Sequence, residues 1–161
     1  MDSATDILIK IRRILRSINL ESKRVQKEFG VSIPQVLCLS CPKDSENYQK
    51  SQLDIRKYLN LNSSTVTGII GRLEKRGLIA RLPNIRDKRV NIIALTSAGD
   101  KLLTRIPPLL HDRLAAKLEK LTNGELDTIG NSLNSLVNML DISEVEASPL
   151  LTVESNILDN D

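Results

Sequence analysis

Residues 63–96 read SSTVTGIIGRLEKRGLIARLPNIRDKRVNIIALT, and the fold turns on how this stretch divides. At 100° per residue Val66, Ile69, Ile70 and Leu73 fall on one stripe, which predicts an amphipathic helix from Ser63 to Arg76 with that stripe in the core. Gly77 is placed to end the helix, and Leu78 to fold back on Leu73. VNIIAL is β-branched and apolar enough for a half-buried strand, while the Pro and Asn of LPNIRDK end one strand and turn the chain back. A helix followed by a short hairpin results, with Arg81, Arg86, Lys88 and Arg89 along the hairpin and Asp87 among them.

The helix face opposite the apolar stripe carries Ser64, Gly68, Gly71 and Lys75, flanked by Thr65, Thr67 and Arg72. Glycine inside a helix costs about 1 kcal/mol relative to alanine, so two of them on a face that packing does not claim call for a reason. Close approach of another molecule supplies one: a DNA major groove admits a helix and reads it through short polar side chains, Arg and threonine methyls. Tolerated surface glycines are the plainer alternative.

Upstream, SQLD at residues 51–54 has the form of a helix N-terminal box, with Ile55 and Leu59 on one face of the helix it starts, and NLN at 60–62 breaks that helix. Two short helices joined by a tight turn thus run into a basic hairpin, the order of a winged helix-turn-helix. The second helix is then expected in the major groove, and Arg86, Lys88 and Arg89 at phosphates and a neighbouring minor groove. Asp87 would repel phosphate, so it reads as a brace that pairs with Arg89 and orients the wing. Before this lobe, Ile7, Ile11, Ile14, Leu15 and Ile18 recur at helical spacing in a long amphipathic helix that stops at Gly30. A further helix is expected from Pro34 to about Ser40, followed by CPKDSENYQK as a loop.

The net charge of +3 hides an asymmetry: residues 1–120 hold all 23 Lys and Arg against 12 acids, while residues 121–161 hold 8 acids and no base. The basic part suits a polyanion. Three aromatics (Phe29, Tyr48, Tyr58) are too few for the stacking platforms of single-stranded nucleic-acid binders, which favours double-stranded DNA. No run approaches the ~20 apolar residues of a membrane span and no signal-peptide pattern stands at the start, so no membrane partner and a cytoplasmic location are expected.

With these pieces in order, the sequence resembles the MarR family of transcriptional regulators. LEKRGLIAR, DKR and LTSAG match the family's LE-x-x-G-L-[IV]-x-R, D-x-R and LT-x-x-G pieces, and the resemblance is strong over residues 51–104. It implies an obligate homodimer with Arg89 in the minor groove and the recognition helix on bases. The sequence departs from the family at Gly68, which follows Thr67 where members often carry a basic side chain. The chain's ends, DILIKIRRILRSINLESKRVQKEFGVSIPQ and ASPLLTVE, are similar to a subgroup controlling genes for compatible-solute synthesis such as ectoine. The expected fold is mainly α with a small β wing. Residues 1–161 form a single MarR-like domain: an N-terminal dimerisation helix (1–30), a winged helix-turn-helix lobe (31–98), C-terminal dimerisation helices (99–142) and an acidic tail (143–161).

Dimerisation has its own support in the residues. Leu126, Ile129, Leu133, Leu136 and Leu140 step by 3, 4, 3, 4, the seam of a coiled-coil-like contact, and Leu110, Leu114, Leu118 and Leu121 form a similar stripe before it. With Ile7, Ile11 and Leu15 of the first helix, three stripes exceed what one small lobe can cover, although an intramolecular bundle is an alternative. Pro107 and Pro108 predict a break after Arg105 and a hinge between lobes. Cys38 and Cys41 form a C-x-x-C that reads either as two packed thiols or as a redox pair. One such pair with a single distant His111 falls short of a zinc site, so no metal and no cofactor are expected. No catalytic constellation is visible, and an enzyme is not expected. A DNA-binding repressor modulated by a small-molecule effector or a stress condition is the leading reading. An architectural DNA binder and a protein-interaction module are the rivals.

Overall fold

The computed structural model describes residues 2–147. The chain divides into two compact units, one of residues 2–106 together with residue 147 and one of residues 107–146.

The first unit opens with α1 (Ser3–Phe29), capped by the Asp2 carboxylate and closed by Gly30 at φ 68°, in the left-handed region where glycine has no penalty. Its buried residues, Glu21, Ser22 and Val25, lie near its C-terminal end. α2 (Ile33–Lys43) begins in a full capping box, with the Ser32 hydroxyl on the Gln35 N–H and the Gln35 side chain on the Ser32 N–H. It is the apolar hub of the lobe: Val36, Leu37, Cys38 and Leu39 are buried, and the helix packs against α3 (Gln52–Leu59), α4 (Ser63–Lys75) and α5 (Ser97–Arg105).

Ser51 caps α3 by accepting the Asp54 N–H, and Asn60 closes it in the left-handed conformation. Asn62 then caps α4 on Thr65, so the turn between the two helices spans only residues 60–62. Val66, Ile69, Ile70 and Leu73 of α4 are all buried, as the periodicity predicts. The helix ends in a Schellman motif, with Leu78 N–H on Leu73 C=O at 3.0 Å and Gly77 N–H on Glu74 C=O at 2.9 Å. Strands β2 (Ile79–Pro83) and β3 (Asn91–Leu95) make the antiparallel hairpin, in register from Ile79 opposite Leu95 to Pro83 opposite Asn91.

The expectation of a loop over CPKDSENYQK is corrected at both ends. α2 continues through the buried Cys41 and Pro42 to Lys43, and Gln49–Ser51 forms β1, which pairs antiparallel with β3 to give the order β1-β3-β2. A three-residue Gln-Lys-Ser strand has no β-branched or apolar signal of its own; pairing with β3 makes it. α5 lies in the first unit, with Gly99 and Leu102 buried. The helix break after Arg105 stands where Pro107 and Pro108 put it.

In the second unit, the Asp112 carboxylate accepts the Leu109 N–H at the start of α6 (Leu110–Leu118). A Thr122–Glu125 capping box starts α7 (Asn123–Met139). Neither helix contains a buried residue. Leu121 lies between the two helices and Leu140 is the C-cap of α7, so each stripe loses its last member from the regular helix. The acidic tail lies outside the described residues from 148 onward, as does most of ASPLLTVE.

Candidate nucleic-acid interface

Helix α4 presents the residue types expected of it. Ser64, Thr67, Arg72 and Lys75 are exposed, and Thr65, Gly68 and Gly71 are half-buried. The Thr67 hydroxyl donates to the Ser63 carbonyl (2.8 Å) and accepts from Gln52 Nε2 (3.1 Å), which ties the start of α3 to the second turn of α4. The Ser64 hydroxyl donates to Asn62 Oδ1 at 2.8 Å. A methyl group at Gly71 would meet nothing within 4 Å, and at Gly68 only the guanidinium of Arg72 at 3.7 Å, an ordinary contact. The chain's own packing therefore requires neither glycine, and their lack of side chains leaves a low strip along the outer face.

Gly99 is the opposite case. A Cβ there would lie 2.2 Å from the Leu78 carbonyl oxygen and 2.7 Å from Leu95 Cδ1, so the LTSAG glycine is demanded by backbone packing. Thr96 of the same motif holds three elements together. Its hydroxyl donates to the Gly77 carbonyl (2.7 Å) and accepts from the Gly99 N–H (3.1 Å), and its own N–H donates to the Leu78 carbonyl (3.2 Å). The end of α4 is thereby fixed to the end of the wing and the start of α5. Arg81 of β2 adds an ion pair to Glu74 of α4, Nε to Oε2 at 3.4 Å.

At the wing tip Asp87 Oδ1 accepts both the backbone N–H of Arg89 (3.0 Å) and its Nε (3.2 Å), and Oδ2 accepts Nη2 (3.4 Å). Val90 N–H closes the turn on the Asp87 carbonyl. The D-x-R spacing makes the turn and orients the guanidinium in one unit. Hydrogen bonds from the Arg89 side chain, then from its backbone, hold the Asp87 carboxyl below the usual carboxylate range. Arg86 and Lys88 are exposed beside them, and Asn84 accepts the Arg86 N–H at 3.0 Å. Ile85, also at the tip, is 98% exposed.

Cys38 and Cys41 are both free and buried on α2. Burial, then the neighbouring Cys41, pushes the Cys38 thiol up to about 12, and burial raises Cys41 as well. Both are thus held as neutral thiols, the less reactive form.

Residues 31–90 match the model of the MarR family. Over that stretch, a little over a third of the chain, it is similar to the MarR family. Over 99 residues it is 26% identical to the HTH-type transcriptional repressor YetL of Bacillus subtilis, covering 62% of this chain and 59% of that protein. Over 96 residues it is 30% identical to the repressor MdtR of the same organism, covering 60% and 61%. The matches thus span about six-tenths of the length of these two relatives. Among solved structures, Sco3205 of Streptomyces coelicolor, a MarR family regulator in complex with DNA, superposes with a TM-score of 0.65 at 20% identity, over 92% of this chain and 98% of that one. This last likeness is one of fold, a winged helix-turn-helix lobe with flanking helices.

Sequence reasoning missed Gln52, Thr96 and Arg76 as partners of this face. Gln52 follows a capping serine and Thr96 stands at a helix start, which are local signals. Arg76 gives no local signal, since the group it bonds, the Gly30 carbonyl, is 46 residues away.

Proposed function

We propose that this protein is a homodimeric, sequence-specific binder of double-stranded DNA that represses transcription from a pseudo-palindromic operator in the cytoplasm. The observation that carries the reading is the outer face of α4: two glycines that internal packing does not require, set among Ser64, Thr65, Thr67, Arg72 and Lys75. Such a strip fits a major groove, with hydroxyls and Arg72 reading base edges. The Asp87-braced Arg89, with Arg86 and Lys88, suits phosphates and the minor groove. The match to the MarR family over residues 31–90, two similar proteins named as repressors and the DNA complex of Sco3205 support it.

The dimer is supported by apolar surface. Ile7, Leu15, Leu114, Leu126, Ile129, Leu133 and Leu140 are exposed, while Ile11, Leu110, Leu118 and Leu136 are half-buried. A two-fold partner would cover them and set two half-sites about one DNA turn apart. A small-molecule effector or a stress condition would adjust affinity, and the resemblance of the chain's ends points to compatible-solute genes as targets. The buried, protonated state of Cys38 and Cys41 favours packing over a redox role.

Selection from a random duplex library tests this. The expected winner is a pseudo-palindrome bound about 10³-fold or more above scrambled DNA. On that site Arg89→Ala should weaken binding and reduce the salt slope by about one, and Arg72→Ala should relax base preference. Uniform, salt-sensitive binding would leave an architectural protein instead.

A further inference from the structure

Arg76 caps the end of α4, where a cation on a recognition helix would ordinarily be assigned to a DNA phosphate. Its side chain is engaged elsewhere. Nη1 donates to the Gly30 carbonyl at 2.7 Å, and Nη2 lies 3.7 Å from where a Cβ of Gly30 would stand. Gly30 sits at φ 68° between the end of α1 and the capping Ser32 of α2, so the guanidinium rests on the corner where α1 turns into the lobe. The adjoining residue, Phe29, carries a second cation: Arg105, the last residue of α5, stands 5.9 Å from its ring centroid. Two arginines, one from each of the helices that flank the wing in sequence, therefore hold the C-terminal end of α1. That end bears the partial negative charge of the helix dipole, which favours both.

We propose that Arg76 is a positioning residue that registers the recognition helix against α1, and makes no contact with DNA itself. The proposal rests on the reading of α1 as part of a dimer and of α4 as the DNA reader. If α1 is shared between protomers, its end is the fixed point from which each α4 is placed over its half-site. The Arg76–Gly30 bond is a direct side-chain link between that point and α4. Releasing it loosens the orientation of α4 without removing a charge that faces phosphate.

The test compares full-length wild-type protein, Arg76→Ala, Arg76→Lys and Arg89→Ala on the selected operator and on scrambled duplex across a salt series. Arg76→Ala should lose about tenfold in operator affinity, as for a hydrogen bond to a charged group, with scrambled-DNA affinity and salt slope unchanged. Arg76→Lys, which keeps one donor, should recover part of the loss. Arg89→Ala, at the wing tip, supplies the contrast, with a slope lower by about one. Amide exchange in the DNA-free protein should quicken at Val31 and Gly77 in Arg76→Ala. A slope lowered by one in Arg76→Ala, with equal loss on both duplexes, would make Arg76 a phosphate contact and overturn the proposal; so would unchanged operator affinity. A wild-type protein that does not prefer its operator would remove the DNA-reading premise, and that is seen before any variant is measured.

Discussion

Helices α4 and α7 are both amphipathic, but α4 buries Val66, Ile69, Ile70 and Leu73 in its own lobe, whereas Leu126, Ile129 and Leu133 of α7 stay exposed. The first helix meets its partners through short connections: the 60–62 turn, the Schellman motif at Gly77 and the Thr96 bridge. The second belongs to a unit in which no helix residue is buried. Periodicity thus states which face needs cover; whether the same chain supplies it depends on how much apolar surface the connections bring together. A 17-residue helix with its leucines in water is weakly held by its own hydrogen bonds and caps. The proposed dimer would cover those leucines.

The sharpest way to break this contrast is to strike the lobe where its packing leaves no room. Gly99→Ala would force a methyl group against the Leu78 carbonyl, and the lobe should lose about 3 kcal/mol or more, read as a lowered urea midpoint. A loss below about 1 kcal/mol would mean that β2, β3 and α5 adjust more freely than the close contact implies.

Next in size is the other side of the comparison. Leu133→Glu puts a charge in the α7 seam, where it should weaken self-association by at least about 2 kcal/mol while leaving the lobe's unfolding midpoint nearly unchanged. Sedimentation equilibrium would show the shift to monomer, and an undisturbed dimer would move the interface off α7.

Gly71→Ala is the smaller and more informative change. Open space at its Cβ predicts about 1 kcal/mol of added stability from helix propensity, together with weaker operator binding. Added stability with no change in binding would remove the argument that the low strip of α4 exists for DNA.

The smallest effect is in pH. The folded state raises Cys38 from its ordinary 9.0 to about 12, so its stabilising contribution is complete below pH 9 and is lost as pH rises toward 12. Stability measured from pH 8 to 10.5 should fall less steeply in Cys38→Ala than in the wild type, on top of the constant cost of the cavity. Equal slopes would place the thiol in contact with water.

Much of the lobe was legible from local signals. The four-residue stripe of α4, the Ser51 cap, the stop at Gly77 and the strand VNIIAL each depend on neighbours in sequence, and all stand where the spacing puts them. The D-x-R turn belongs with them, because Asp87 and Arg89 are two residues apart. What could not be read is non-local. β1 exists through pairing with β3, α2 runs on to Lys43 within the packed lobe, and α5 belongs to the lobe because Leu78 and Leu95 close over Gly99.

The amino-acid order by itself determined the helix-turn-helix and wing and the distribution of charge, because caps, periodicity and turn chemistry act over a few residues. It also marked the low glycine strip that α4 turns outward. Only the tertiary structure decided which glycine is indispensable and which is spare, and that Arg76 is committed to the protein's own backbone. Gly71 and Gly99 look alike in sequence; what separates them is the group that the folded chain brings within a few ångströms.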